Sequence, residues 1–281
     1  MVKKIKLSQS GFAHIEIVVV IIVIGLILGV GYMVMGKSKI DKPAGSKTNL
    51  TTSQIAADEV KRSGSSQTDS AQKPILRNLL GISFGPYNKT AGTSGDFIFS
   101  QSAAEQQAPE SNMIYFPFAQ KTCIAGTCKV QTEMTLGGLK NGTPVKAAAS
   151  GKVVSFTNEG PDYSFVTVSD DYPDYAVGYD HLAAPSIKEG DNIKADQIIG
   201  KAAPYGDGKF SRIEIFIKKG KSDAGKTVKV CPIDYLDASA KSTVVTQLKQ
   251  FFTDWNGFTG KDVYSLATMS TPGCIETQTV E

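Results

Sequence analysis

Histidine is the scarcest reactive residue in this chain: among 281 residues there are only His14 and His181. His14 belongs to the N-terminal region, so the remainder offers one imidazole, too few for a metal centre built on several histidines. Basic runs are also missing. The formal charge of +3 comes from 30 Lys plus Arg against 27 Asp plus Glu, and Lys3, Lys4 and Lys6 supply the surplus. Without a basic stripe there is no electrostatic footprint for nucleic acid. No dense acidic loop of the calcium-binding kind occurs, and no cofactor is expected. Three further gaps are regional: no acid in residues 1–11, no charge in residues 17–35 and no aromatic residue in residues 37–73.

Those gaps divide the chain. The uncharged stretch "IVVVIIVIGLILGVGYMVM", at ~1.5 Å per residue, just crosses a ~30 Å hydrocarbon layer and predicts a single membrane helix. The preceding lysines put the start inside and everything after it outside, at the cell membrane. A cleaved secretory signal is the alternative. The Ser, Thr, Gln and Lys of residues 37–73 are linker chemistry. The expected organisation is a leader (1–11), a transmembrane helix (12–36), a flexible linker (37–73), accessory β segments (74–113), a β-domain (114–237) and a C-terminal helix and tail (238–281).

The segment "KLSQSGFAHIEIVVVI" resembles the leader of type IV pilins and pilin-like proteins: short and basic, then a glycine, an aromatic residue and a glutamate. The resemblance implies cleavage after Gly11, a new N-terminus at Phe12, and Glu16 as a buried acid paired with a neighbouring subunit in a pilus or pseudopilus. Ala13 and His14 depart from the usual pattern, and Gly36, Pro43 and Gly45 interrupt the long stalk such proteins have. The plain alternative places Glu16 at the headgroup level of an ordinary anchor.

Short apolar runs cut by Gly, Pro and Asn begin after Ile75: "LLGISFG", "DFIFS" and "MIYFPF", then "GKVVSFTN", "YSFVTVS" and "YAVGYDHL". Regular strands with turn punctuation predict a mainly β domain, a sandwich or barrel. In "SAKSTVVTQLKQFFTDWNGF", Val244, Val245, Leu248, Phe251, Phe252 and Trp255 recur at helical spacing, predicting an amphipathic helix ending near Gly257. Cys123, Cys128, Cys231 and Cys274 lie on the expected outer side and allow three pairings. Cys123 to Cys128 and Cys231 to Cys274 are favoured, because no second cysteine or histidine pair exists to complete a zinc site.

In order, "NGTPVKAAASGKVVSF", "YAVGYDHL", "IKEGDNIKADQIIGKA" and "CPIDYL" resemble the core of lysostaphin/LytM-type zinc endopeptidases, which cleave peptidoglycan cross-bridges. The resemblance implies a LytM-like β-sandwich of duplicated hybrid motifs, with Gly190 supplying the positive φ of a Glu-Gly-Asp turn. Biotinyl domains share that turn, but the lysine tripeptide they modify does not occur here. The resemblance also implies zinc ligands from a His-x-x-x-Asp segment before the "GTPV" turn and from a later His-x-His. Here Thr135 and Leu139 stand at the first place, Arg212 and Glu214 at the second, and residues 130–160 contain neither histidine nor aspartate. Glu133 alone could offer an oxygen there.

His181 therefore reads either as what remains of a catalytic group or as a strand-end histidine kept for packing. Alternation in "SRIEIFIK" sends Ile213, Ile215 and Ile217 to the core and Arg212 and Glu214 to a groove beside His181. Tyr179, with Tyr163, Tyr172, Tyr175 and Tyr205, is expected to line that groove, unless these are simply strand formers. The resulting expectation is a degenerate, non-catalytic domain that binds peptidoglycan or a cell-wall protein. The alternatives are a pilin-like subunit displaying a β-head, and an active metallopeptidase with atypical ligands.

Overall fold

In the computed structural model, which describes residues 76–124, 126–221 and 225–280, turns cut the chain into short antiparallel strands. The expected leader, membrane helix and linker, with Gly11, Phe12 and Glu16, lie outside the described residues. Among the described residues no helix is long and apolar enough to cross a membrane. The first strands are only two residues each: β1 (Tyr87–Asn88), β2 (Thr93–Ser94) and β3 (Phe97–Ile98). They lead into a helix that the sequence pattern does not reveal, α1 (Gln101–Gln107), where Ala103 and Ala104 alone face inward.

After β4 (Tyr115–Phe116), β5 (Lys121–Ile124) and β6 (Thr127–Val130) make a separate hairpin with Cys123 bonded to Cys128, and β6 is exposed along its whole length. The region expected to be a LytM-like domain follows as β7 (Met134–Lys140), β8 (Pro144–Lys146), β9 (Gly151–Asn158), β10 (Tyr163–Val168), β11 (Tyr175–Ala183), β12 (Asn192–Ile193), β13 (Ile198–Tyr205), β14 (Phe210–Lys221) and β15 (Thr227–Val230). Gly190 has φ +90°, as its turn requires.

The strands run in the order β1-β2-β3-β7-β14-β13-β11-β10-β9-β12, with β15, β4 and β8 branching off. The expected sandwich is thus realised as one branched hydrogen-bonded sheet. The reason is β14: at 12 residues it is long enough to pair with β13 and β11 on one side and with β7 and β15 on the other. Ile213, Ile215 and Ile217 are fully buried, as alternation predicts. Phe216 on the other face lies across Gly178 of β11, where a Cβ would come within 1.9 Å of its ring. Only glycine permits that crossing.

The C-terminal helix α2 (Ala238–Thr259) starts at Asp237, whose carboxylate accepts from Ala240 N at 2.9 Å. It runs past Gly257 and stops at Gly260 in the left-handed conformation, the usual glycine terminator. Its buried stripe, Val244, Leu248, Phe251, Phe252 and Trp255, packs on rings from the early segments. Phe251 lies 4.6 Å from Phe97, and Phe99 lies 5.0 Å from Trp255, centroid to centroid. Accessory segments and C-terminal helix therefore share one aromatic core. Beyond the helix the tail returns: Cys274 bonds Cys231, and the strand β16 (Gln278–Val280) pairs with β15. Both favoured disulfides are present.

Candidate functional site

His181 owes its position to a bulge. Where β10 meets β11 the register slips, Tyr163 facing Leu182 but Phe165 facing Tyr179. The extra residue lets the chain turn its side chain aside. His181 takes φ +61°, an uncommon conformation for a residue with a Cβ, and its N–H donates to Asp180 Oδ1 at 2.7 Å. The ring is then pinned by a residue at the start of the same hairpin: Nδ1 lies 2.6 Å from Asp162 Oδ2. Nε2 points the other way, 3.7 Å from Glu214 Oε1.

Glu214 sits on β14 opposite Asp180 of β11 and opposite Thr135 of β7. The fully buried Thr135 hydroxyl donates to Glu214 Oε1 at 2.8 Å. Burial first, then the hydrogen bond and charge of Glu133, push the Glu214 carboxyl up to about 8; Thr135 and Arg212 act in the opposite sense. Glu214 is therefore largely protonated at neutral pH. Burial likewise raises Asp180, with His181 opposing. Glu133 in turn accepts from the ammonium of Lys229 at 2.9 Å, which also donates to Thr132 Oγ1 at 2.9 Å. Lys229 is nearly inaccessible and stands 4.5 Å over the Phe216 ring. The result is a chain of satisfied groups, Lys229 to Glu133 to Glu214 to Thr135, ending beside His181.

Of the four groove residues expected from sequence, His181 and Glu214 come together. Arg212 instead lays its guanidinium over the Tyr205 ring at 5.9 Å, and among the described residues it makes no ion pair with either. Tyr179 belongs to the core: it is fully buried, its ring stacks on Phe165 at 4.4 Å and its hydroxyl accepts from Ala148 N at 3.0 Å. Tyr172, Tyr175 and Tyr205 are buried as well, and Tyr163 is half-buried against Phe156. The expected tyrosine lining is therefore not formed, because strand alternation turns these rings inward. Pockets of about 350 and 260 Å³ lie at the Ser169–Asp174 end of the β10–β11 hairpin, the opposite end from His181.

Asp162 and Lys229 complete the cluster and were missed in the sequence. Neither is placed by its own segment: Asp162 precedes β10 and reaches His181 only through the bulged hairpin, and Lys229 stands alone within the apolar "TVKV" strand.

Metal-binding capacity can be judged from the donors. Asp180, His181 and Glu214 can each offer one atom, all within 4.8 Å of one another. Nδ1, however, is committed to Asp162, with Asp180 on that side at 4.0 Å and Glu214 on the Nε2 side. At the places the resemblance would give to zinc ligands, Leu139 is a buried hydrocarbon paired with Phe97 and Ser211, and Thr135 spends its hydroxyl on Glu214.

Residues 136–225 match peptidase family M23. Among solved structures, the chain is 27% identical to lysostaphin in solution over 40% of its length, with a TM-score of 0.31, and spans 44% of that protein. It is 25% identical to the catalytic domain of lysostaphin from Staphylococcus simulans, covering 46% of this chain and 96% of that one, with a TM-score of 0.32. A chain of the SpoIIIAH and SpoIIQ complex is 22% identical over 42% of this chain and 78% of that one, with a TM-score of 0.31. Comparison with curated proteins finds no match. The M23 match therefore falls on the strands from β7 to β14.

Proposed function

We propose that this chain displays, outside a membrane, a non-catalytic M23-type domain that binds cell-wall peptidoglycan or a wall-associated protein. The observation that carries this reading is the closed network Lys229, Glu133, Glu214 and Thr135, together with Leu139, at the place where zinc chemistry needs donors. Hydrolysis of this kind requires about three protein ligands and an open position for water. Here the polar atoms are spent on one another. His181, oriented by Asp162 and still 16% exposed at its side chain, serves as a hydrogen-bonding group for a ligand.

The test is to spin the full-length chain in mild detergent with purified sacculi, measuring sedimentation, muropeptide release and bound zinc. Sedimentation without released muropeptides and with substoichiometric zinc is expected. Muropeptides released by the wild type and lost in His181→Ala would instead establish a second reading, a hydrolase using the Asp180, His181 and Glu214 donors.

The anchor belongs to the same proposal. By the leader's resemblance to pilin-like proteins, N-terminal sequencing of the mature protein is expected to begin at Phe12, and Glu16→Ala to disrupt any assembly with similar subunits. A mature chain that still begins at Met1 would discard the pilin-like processing.

A further inference from the structure

The two disulfides sit in opposite settings. Cys231 and Cys274 are fully buried, and their bond ties the returning tail into the core. Cys123 and Cys128 instead join β5 to β6, which pair only with each other, and Cys128 lies on a strand exposed along its whole length. Cys123 is half-buried, so Cys128 presents the more accessible sulfur of the pair. An external group reaches it without any part of the main sheet opening.

Register decides what surrounds that sulfur. Cys123 faces Cys128 and Lys121 faces Val130, so these four side chains share one face of the hairpin, while Thr122 and Lys129 take the other. Lys121 precedes Cys123 by two residues on β5, which is about 7 Å along a strand. Residues 111–132 contain no aspartate or glutamate, so the charge supplied by this stretch is positive only. A cation beside a disulfide favours both the thiolate that approaches and the thiolate that leaves.

We propose that Cys128 is a site of reversible modification by a small thiol, with Lys121 as the cation that favours the exchange. The incoming thiolate attacks Cys128 Sγ and forms a new S–S bond to it. The bond between Cys128 and Cys123 breaks, and its electron pair leaves on Cys123 as a thiolate. Lys121, on the same strand and the same face, stands beside that leaving charge. Return attack of the Cys123 thiolate on Cys128 expels the small thiol and restores the disulfide, so the cycle consumes neither oxidant nor reductant. The inference is independent of what the β-domain binds, because the hairpin shares no ladder with the main sheet.

The test uses the full-length chain in mild detergent, with glutathione as the thiol. The protein is exposed to about 1 mM glutathione, quenched with acid at early times and alkylated, and peptide mass spectrometry reads which cysteine carries the glutathione. Glutathione is expected on Cys128 at about tenfold its level on Cys123, with Cys231 and Cys274 still linked to each other. Lys121→Gln should slow opening of the hairpin disulfide about fivefold, whereas Lys121→Arg should retain most of the rate. Lys129→Gln, on the opposite face, should change it less. All three variants should melt like the wild type, since the hairpin lies outside the core. Glutathione divided equally between Cys123 and Cys128, opening of both disulfides at one rate, or an unchanged rate in Lys121→Gln would each overturn the proposal.

Discussion

Glu214 keeps a proton that an exposed glutamate would have lost, and that proton is linked to folding. The folded protein holds it up to about pH 8, while the unfolded chain releases it near the ordinary value of 4.5. Between those values the native state binds more protons, so the contribution is fully present below 4.5 and is lost as pH rises through 8. The decline can reach about 1.4 kcal/mol per pH unit. Glu214→Gln should flatten it, which urea unfolding of both proteins from about pH 5 to pH 8 would read; superimposable profiles would contradict the assignment. The backbone at His181 gives a second prediction. Because φ is +61° there, His181→Gly should be more stable than His181→Ala by about 0.5–1 kcal/mol, although both lose the contact with Asp162. An alanine variant as stable as the glycine one would mean that the bulge relaxes without cost.

At the scale of elements, β14 and β11 are joined by more than their ladder, since the Phe216 ring occupies the space above Gly178. Gly178→Ala should destabilise by about 1–3 kcal/mol through overpacking, and Gly178→Ala with Phe216→Leu should recover part of the loss in thermal melts. No recovery would place the strain elsewhere. How far such elements could be read from sequence depended on how local their cause is. The strands β8 to β11, the isoleucine face of β14 and the stripe of α2 follow from periodicities within one segment. The helix α1 did not, because "QSAAEQQ" carries too few apolar residues to show a period. At the site, His181 and Glu214 could be paired from the sequence, but Asp162 and Lys229 could not. Their meeting depends on cross-strand register and on a one-residue bulge, which no single segment encodes. The tyrosines misled for a related reason: a strand residue has two faces to choose from, and Tyr179 faces Ala148 and Phe165 in the core.

For the molecule as a whole, the C-terminal segment is a closing piece. Phe118 N donates to Gly273 O at 3.0 Å, Ile275 N donates to Phe118 O at 2.8 Å, and the disulfide ties Cys274 to Cys231 across 43 residues. Replacing both of those cysteines by serine should lower stability by about 2–4 kcal/mol, measured by urea unfolding with and without reductant. The same change at Cys123 and Cys128, five residues apart, should matter far less to the core. Comparable losses from the two pairs would mean that the small hairpin is part of the folding unit. That hairpin has a practical side. Because β5 and β6 pair only with each other and β6 is exposed throughout, their connection near Gly126 is a natural splice point for a fluorescent or affinity tag. A label there would leave the ladders of the main sheet intact.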